Sequence, residues 1–306
     1  MTNVFIDGSA GTTGLRIFDR LSQRQDINLV TLPESLRKDE NARAEALNGA
    51  DIAFLCLPDA AAIEAVSMVK NPRTVVIDTS TAHRVNPEFT YGFPELCGMR
   101  EKIASSHRIA NPGCHASGFI ALVAPLVENG LLKKDAPLSC FSITGYSGGG
   151  KSMIAEYTSP DRNPLLCAPR QYGLSQQHKH LAEMKAVCGL ENAPIFCPIV
   201  ADFYSGMEVT VTVYRDDIAD ADSVAELYRS YYRSGVVHFE ENADENGFLS
   251  ACALSGRDDM QITVTGNEAR VLLVARFDNL GKGASGAAVQ NMNIVMGVEE
   301  TVGLNI

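Results

Sequence analysis

Short apolar runs alternate with amphipathic stretches along the first hundred residues. Asn3–Asp7, Ile27–Leu32, Asp51–Leu57 and Thr74–Asp78 read as strands. Gly14–Arg24, Asn41–Leu47 and Asp59–Lys70 lie between them with helical spacing. Such alternation predicts an α/β fold with a doubly wound parallel sheet. From about Ala136 the texture changes. Leu138–Thr144, Met207–Tyr214, Gln261–Thr265 and Arg270–Phe277 are longer and more alternating, as strands of a mixed or antiparallel sheet are. Helices are expected there over Gln176–Val187 and Asp222–Tyr232. The pattern predicts a first domain over 1–113 and an α+β domain over 114–284. The segment Ser285–Val302 again has helical spacing, so 285–306 is expected to return and complete the first domain.

Composition narrows the function classes. The 306 residues are 45% hydrophobic and 21% charged, ordinary values for two globular domains. A net charge of -11 argues against nucleic acid or an anionic membrane as partner. No segment approaches the roughly 20 apolar residues of a membrane-spanning helix. With the first strand pattern starting at Asn3, no basic leader is expected. The 8 cysteines show no CxxC pair, which fits a reducing, cytoplasmic setting. No metal site is expected.

A glycine turn follows the first strand: Gly8-Ser9-Ala10-Gly11-Thr12-Thr13-Gly14. A strand-to-helix turn of this kind lets backbone N–H groups approach a pyrophosphate, with the helix N-terminus adding its field. In this position it predicts a Rossmann-type dinucleotide site; the alternative is a plain tight turn. The second strand leads into Glu34-Ser35-Leu36-Arg37-Lys38 rather than ending on an acid. Ser35, Arg37 and Lys38 suit a 2′-phosphate, so NADP is expected over NAD. A second glycine run, Gly145–Ser152, matches the P-loop spacing and keeps an ATPase or kinase reading open. It lies mid-chain, however, and Ser159-Pro-Asp-Arg-Asn-Pro164 cuts short any helix after it. Lys151 is read instead as a local anion contact.

The sharpest chemical feature is Ala110-Asn111-Pro112-Gly113-Cys114. Ser106–Ala110 reads as a strand and Phe119–Val127 as an apolar helix, which puts the Cys114 thiol near a helix N-terminus. Free N–H groups and the positive dipole end favour a thiolate there, the nucleophile of acyl transfer. The alternative is a buried structural cysteine. Ser175 is a candidate N-cap for the helix bearing His178, His180 and Glu183. His180 and Glu183 are i,i+3 neighbours, so the carboxylate can orient the imidazole as a general acid/base. His178 would lie roughly 160° around that helix. His115 is the weaker base candidate, since adjacent helical residues point apart. Arg84, Arg108 and Lys151 are candidate cations for an anionic substrate, and Asn111 is a candidate substrate contact beside the cysteine.

Taken together, several motifs resemble the N-acetyl-gamma-glutamyl-phosphate reductases, in their shorter second form. They are Gly8-x-x-Gly11-x-x-Gly14, Tyr91-Gly-Phe-Pro-Glu95, Asn111-Pro-Gly-Cys114, His178-x-His180-x-x-Glu183 and the block Asn279–Asn293. The resemblance implies a semialdehyde dehydrogenase type of fold, an NADPH-dependent reductase of arginine biosynthesis, and a homodimer or tetramer. It implies Cys114 as nucleophile through a thioester, His180 as acid/base, Glu183 as its support, and Asn279 near the nicotinamide. Arg84 matches the family's arginine, although Thr-Ala-His-Arg84 replaces the family's Ala-Asp-Phe-Arg. Alternatives are the same chemistry on aspartyl or acetylaminoadipyl phosphate, and a non-catalytic NADP sensor.

Overall fold

The computed structural model describes all of Met1–Ile306, which fall into two units: Met1–Pro112 with Ala284–Leu304, and Gly113–Gly283 with Asn305–Ile306. The first is built on strands β1 (Thr2–Asp7), β2 (Ile27–Val30), β3 (Ile52–Leu55), β4 (Val75–Asp78), β5 (Thr90–Tyr91) and β6 (Arg108–Ala110). Their order is β2-β1-β3-β4-β6-β5, and every pairing is parallel. Helices α1 (Thr12–Leu21), α2 (Glu40–Gly49), α3 (Asp59–Met68) and α4 (Met99–Ser105) connect them.

The strand period of two divides the apolar residues between two cores. Val4, Ile6, Phe54 and Ile77 pack with Ile17, Leu21 and Ile103, and with Val289 and Met292 of the C-terminal helix Gly286–Met296. Phe5, Ala53, Leu55 and Val76 pack on the other side with Leu47 and Ala65. The C-terminal helix stops at Met296 instead of running to Val302. Gly297 takes φ 68 and its N–H caps the last turn.

The second unit holds α5 (Cys114–Glu128), β7 (Ser139–Gly145), α6 (Gly150–Thr158), β8 (Arg170–Gln171), α7 (His180–Cys188), β9 (Ile195–Ala201), β10 (Met207–Tyr214), α8 (Ala221–Tyr231), β11 (Val237–Phe239), β12 (Met260–Gly266) and β13 (Arg270–Phe277). The mixed sheet runs β11-β12-β13-β10-β7-β9-β8. Helix α5 is apolar all round and almost wholly buried, as such a helix must be. It lies on β10 and β13 and is flanked by α7 and α8. The buried Tyr228 and Tyr232 hydroxyls donate to the Leu122 and Ala121 carbonyls at 2.5 and 2.6 Å, which fixes the spacing between α8 and α5.

Two expectations change here. The helix expected from Gln176 begins at His180, and Lys179, not Ser175, is its N-cap. Gln176 is drawn out of the helix with φ 56, because its amide pairs with the backbone of Phe196: Nε2 to the carbonyl at 2.7 Å, and the Phe196 N–H to Oε1 at 2.9 Å. Strand β9 carries Pro198 in its middle, a residue that argues against a strand in sequence. The Pro198 carbonyl keeps its place in the ladder, accepting from the Tyr172 N–H at 3.0 Å.

Candidate active site

In the first unit, β1 runs into the glycine turn. Gly8 has φ +86, and a Cβ there would stand 2.3 Å from the Cys56 carbonyl oxygen. A Cβ on Gly14 would stand 2.4 Å from the Gly8 carbonyl oxygen. Only glycines allow this close strand–turn–helix approach. Gly11 is the N-cap of α1 and supplies no side chain to its first N–H groups, and the first turn has no acid. The amides of Thr12, Thr13 and Gly14 thus form a cradle that fits a pyrophosphate. Beyond β2, Ser35, Arg37 and Lys38 are all solvent-exposed on the adjoining turn. Asp39 is engaged as the N-cap of α2, accepting from the Ala42 N–H at 2.8 Å.

The loop before the cysteine is pinned within the same unit. The Asn111 N–H donates to the Asp78 carbonyl at 2.7 Å. Arg84 Nε donates to the Asn111 carbonyl at 3.0 Å, and its Nη2 to the Thr79 carbonyl at 3.1 Å. The Asn111 amide donates to the Ala284 carbonyl at 3.0 Å and accepts from Asn291 at 3.3 Å. Arg84 and Asn111 therefore shape this loop. Beneath them lies a network that sequence reasoning did not single out: Asp78 accepts from the Ser80 hydroxyl at 2.7 Å and pairs with His83 Nδ1 at 2.6 Å. Arg108 is not brought here. Its guanidinium donates to the Thr74 and His107 carbonyls at 3.2 and 2.9 Å, at the amino-terminal edge of the sheet, and partial burial lowers its pKa. That edge is opposite the strand ends where ligands of open α/β sheets bind.

In the second unit Cys114 is the first residue of α5, half-buried, behind an N-cap glycine and with no acid in the first turn. Its two neighbours in sequence both touch α7. The Gly113 N–H donates to Glu183 Oε2 at 3.2 Å. The His115 ring lies 5.4 Å from that of His180. His180 Nε2 and Glu183 Oε1 are 3.9 Å apart, and both residues are buried. Cys114, His180 and Glu183 are thus assembled by one helix start against another. A Cβ on Gly283 would stand 3.0 Å from the Cys114 Cβ, so the turn after β13 closes on the same residue.

His178 departs from the sequence reading. It precedes α7 rather than lying on it, so no helical geometry separates it from His180. Their rings meet edge to face at 4.7 Å, and the His180 N–H donates to His178 Nδ1 at 3.3 Å. His115 is no base: burial first, then the nearby His178, pull its pKa down to about 3. Asn279 is buried and hydrogen-bonded within the unit through both its oxygen and its nitrogen. It accepts from the Gly206 N–H at 2.9 Å and donates to the Ser147 hydroxyl at 3.0 Å. Lys151 is exposed on the first turn of α6, apart from this network. The run Tyr146–Gly149 is wound as a 3₁₀ turn, with Gly149 packed against Met153, rather than opened as a phosphate cradle.

A dinucleotide-type turn on a parallel sheet, together with a cysteine opening a helix over a mixed sheet, defines an oxidoreductase of the semialdehyde dehydrogenase class. The family model for the semialdehyde dehydrogenase NAD binding domain matches residues 33–106, and that for the dimerisation domain matches 114–279. Solved structures share the fold. Aspartate semialdehyde dehydrogenase II of Vibrio cholerae superposes with TM-score 0.73 at 17% identity, over 97% of this chain and 98% of that one. The Candida albicans aspartate semialdehyde dehydrogenase, solved with NADP, gives 0.69 at 14% identity over 99% of each. Sequence relatives are closer in kind. N-acetyl-gamma-glutamyl-phosphate reductase 2 of a Nostoc species is 44% identical over 98% of both chains. The Brucella ovis N-acetyl-gamma-glutamyl-phosphate reductase is 45% identical over 96% of this chain and 98% of that one. The chain belongs to the N-acetyl-gamma-glutamyl-phosphate reductase family.

Proposed function

We propose that this protein reduces N-acetyl-L-glutamyl 5-phosphate to N-acetyl-L-glutamate 5-semialdehyde, releasing inorganic phosphate, with Cys114 as nucleophile. The observation that carries the assignment of Cys114 is its place on an uncapped helix start, flanked by residues bound to the His180–Glu183 helix. Bound NADPH supplies the hydride. The α1 cradle would hold its pyrophosphate, and Ser35, Arg37 and Lys38 its 2′-phosphate.

The Cys114 thiolate attacks the acyl carbon, the C–O bond to phosphate breaks, and phosphate leaves with its electron pair. A thioester remains on Cys114. After reduction, His180 gives a proton to the tetrahedral oxygen. It takes that proton back as the C–S bond breaks, which frees the aldehyde and the thiolate. A thiolate suits both halves, since it attacks well and leaves readily. The α5 N-terminal amides, uncapped by any side chain, would offer donors to a developing oxyanion. Glu183 holds Gly113 and faces His180, so it ties the acid/base to the nucleophile's own turn. Arg84 and Asn111 serve by holding the loop that delivers Cys114.

Copies of the chain associate through the mixed sheet face turned away from α5, where Phe141, Ile195 and Leu272 remain exposed. All eight cysteines are free thiols, which supports work in the cytoplasm. No helix is long and apolar enough to cross a membrane. The decisive assay is phosphate-dependent NADP reduction by N-acetylglutamate semialdehyde, set beside aspartate and acetylaminoadipate semialdehydes. Preference for either competitor would reassign the substrate. Cys114→Ser should abolish turnover and leave NADPH binding intact; residual reductase activity in that variant would refute the nucleophile.

A further inference from the structure

The last residue of β1, directly before the glycine turn, is a buried acid. Asp7 follows Phe5 by two positions and so shares its face of the sheet, the one covered by α2 and α3. Arg43 stands one helical turn before Leu47 on the buried side of α2. Its Nε and Nη2 both donate to Asp7 Oδ2, at 3.1 and 3.0 Å. Asp7 is 4% exposed and Arg43 is 7% exposed. From α3, Glu64 Oε2 lies 3.6 Å from Arg43 Nη1 and is itself open to solvent.

By charge alone, an acid is badly placed there. Its neighbour Gly8 is the residue on which the turn closes. The Gly8 carbonyl accepts from the Gly11 N–H at 3.0 Å, and α1 packs on it through Gly14, where a Cβ would stand 2.4 Å away. The Asp7 carbonyl is held too, accepting from the Cys56 N–H at 2.8 Å. The acid is thus fixed one residue from the base of an anion cradle, in buried surroundings where charges act strongly on one another. Left uncovered, it would repel a pyrophosphate. Burial raises the Asp7 pKa above the ordinary carboxylate value, and the hydrogen bonds and charge of Arg43 oppose that rise. The ion pair carries no net charge.

We infer that Asp7 and Arg43 are positioning residues for the cofactor: the guanidinium reaches from α2 and cancels the acid beside the glycine turn, so that the turn can hold a pyrophosphate. This rests on reading Gly8–Gly14 as the pyrophosphate cradle. Arg43 acts through Asp7 rather than on the cofactor, because it is buried and its guanidinium is engaged by Asp7 and Glu64.

NADPH titrations of three variants, each checked for folding by thermal unfolding, separate charge from support. Arg43→Gln leaves the acid uncovered, so Kd for NADPH should rise about 10-fold or more. KM for NADPH should rise with it, while kcat at saturating NADPH holds. Asp7→Asn removes the charge and keeps the shape. It should bind NADPH as tightly as wild type, or up to about 5-fold tighter. In Asp7→Asn/Arg43→Gln two neutral amides face each other, and affinity should return to within about 3-fold of wild type. A strut with no electrostatic role predicts the reverse: both single variants lose affinity, and the double variant does not recover. Weaker binding by Asp7→Asn would therefore overturn the inference, even where Arg43→Gln fails to fold. An unchanged Kd in Arg43→Gln, or no recovery in the double variant, would overturn it as well. Gly14→Ala probes the cradle separately. If that variant binds NADPH as wild type does, the cradle reading falls, and this inference with it.

Discussion

At the scale of single residues, one carboxylate links the turn of the proposed nucleophile, Cys114, to the proposed acid/base, His180. Glu183 is 1% exposed, and its two oxygens face different partners, Gly113 N–H at 3.2 Å and His180 Nε2 at 3.9 Å. Glu183→Gln keeps an acceptor for Gly113 but removes the charge beside the imidazole. We expect kcat to fall by about 10²-fold, with NADPH affinity held, in steady-state assays. An unchanged kcat would mean that the carboxylate serves only to hold the turn. Cys56 shows the opposite fate for a thiol. It directly follows β3, where burial of the sulfur pushes its pKa up to about 12, so it stays protonated at neutral pH. Position at a helix start, not the presence of sulfur, separates the two.

At the scale of elements, the site is built where strands or turns hand over to helices. The β1–α1 junction depends on two missing side chains. Gly14→Ala would drive a methyl to within 2.4 Å of the Gly8 carbonyl, backbone that cannot swing aside. We expect dinucleotide affinity to fall at least 10-fold in a fluorescence titration, with thermal stability lowered by about 1–3 kcal/mol. These junctions were the legible part of the chain. The glycine turn, the Asn111–Cys114 loop and the His180–Glu183 pair each stand within a dozen residues, so local pattern reveals them. What escaped depends on partners distant in sequence. Ser142 and Tyr172 meet His115 only because β7 and the residue after β8 come against the first turn of α5. Gln176 leaves the helix for Phe196, which sets His178 against His180 instead of across from it. Arg108 looked like a ligand from its nearness to Cys114, yet a strand's two ends face opposite edges of the sheet.

At the scale of the whole molecule, the mixed sheet has two unlike faces. Val209, Val211, Cys140 and Ser142 turn toward α5 and are buried, while Phe141, at 45% exposure, sits on the other face opposite Thr210 and Cys197. Phe141→Glu should shift the protein toward monomer in analytical ultracentrifugation, because a charge on an apolar contact face must be desolvated. An unchanged sedimentation coefficient would move the contact to another surface. The first unit carries a different burden. Val289 and Met292, which close one side of its core, lie on the C-terminal helix beyond the whole of Gly113–Gly283. During synthesis Val4, Ile6 and Ile77 therefore leave the ribosome long before their cover exists. That half of the nascent chain must wait, greasy and unsealed on one side, while the other half is translated and free to fold.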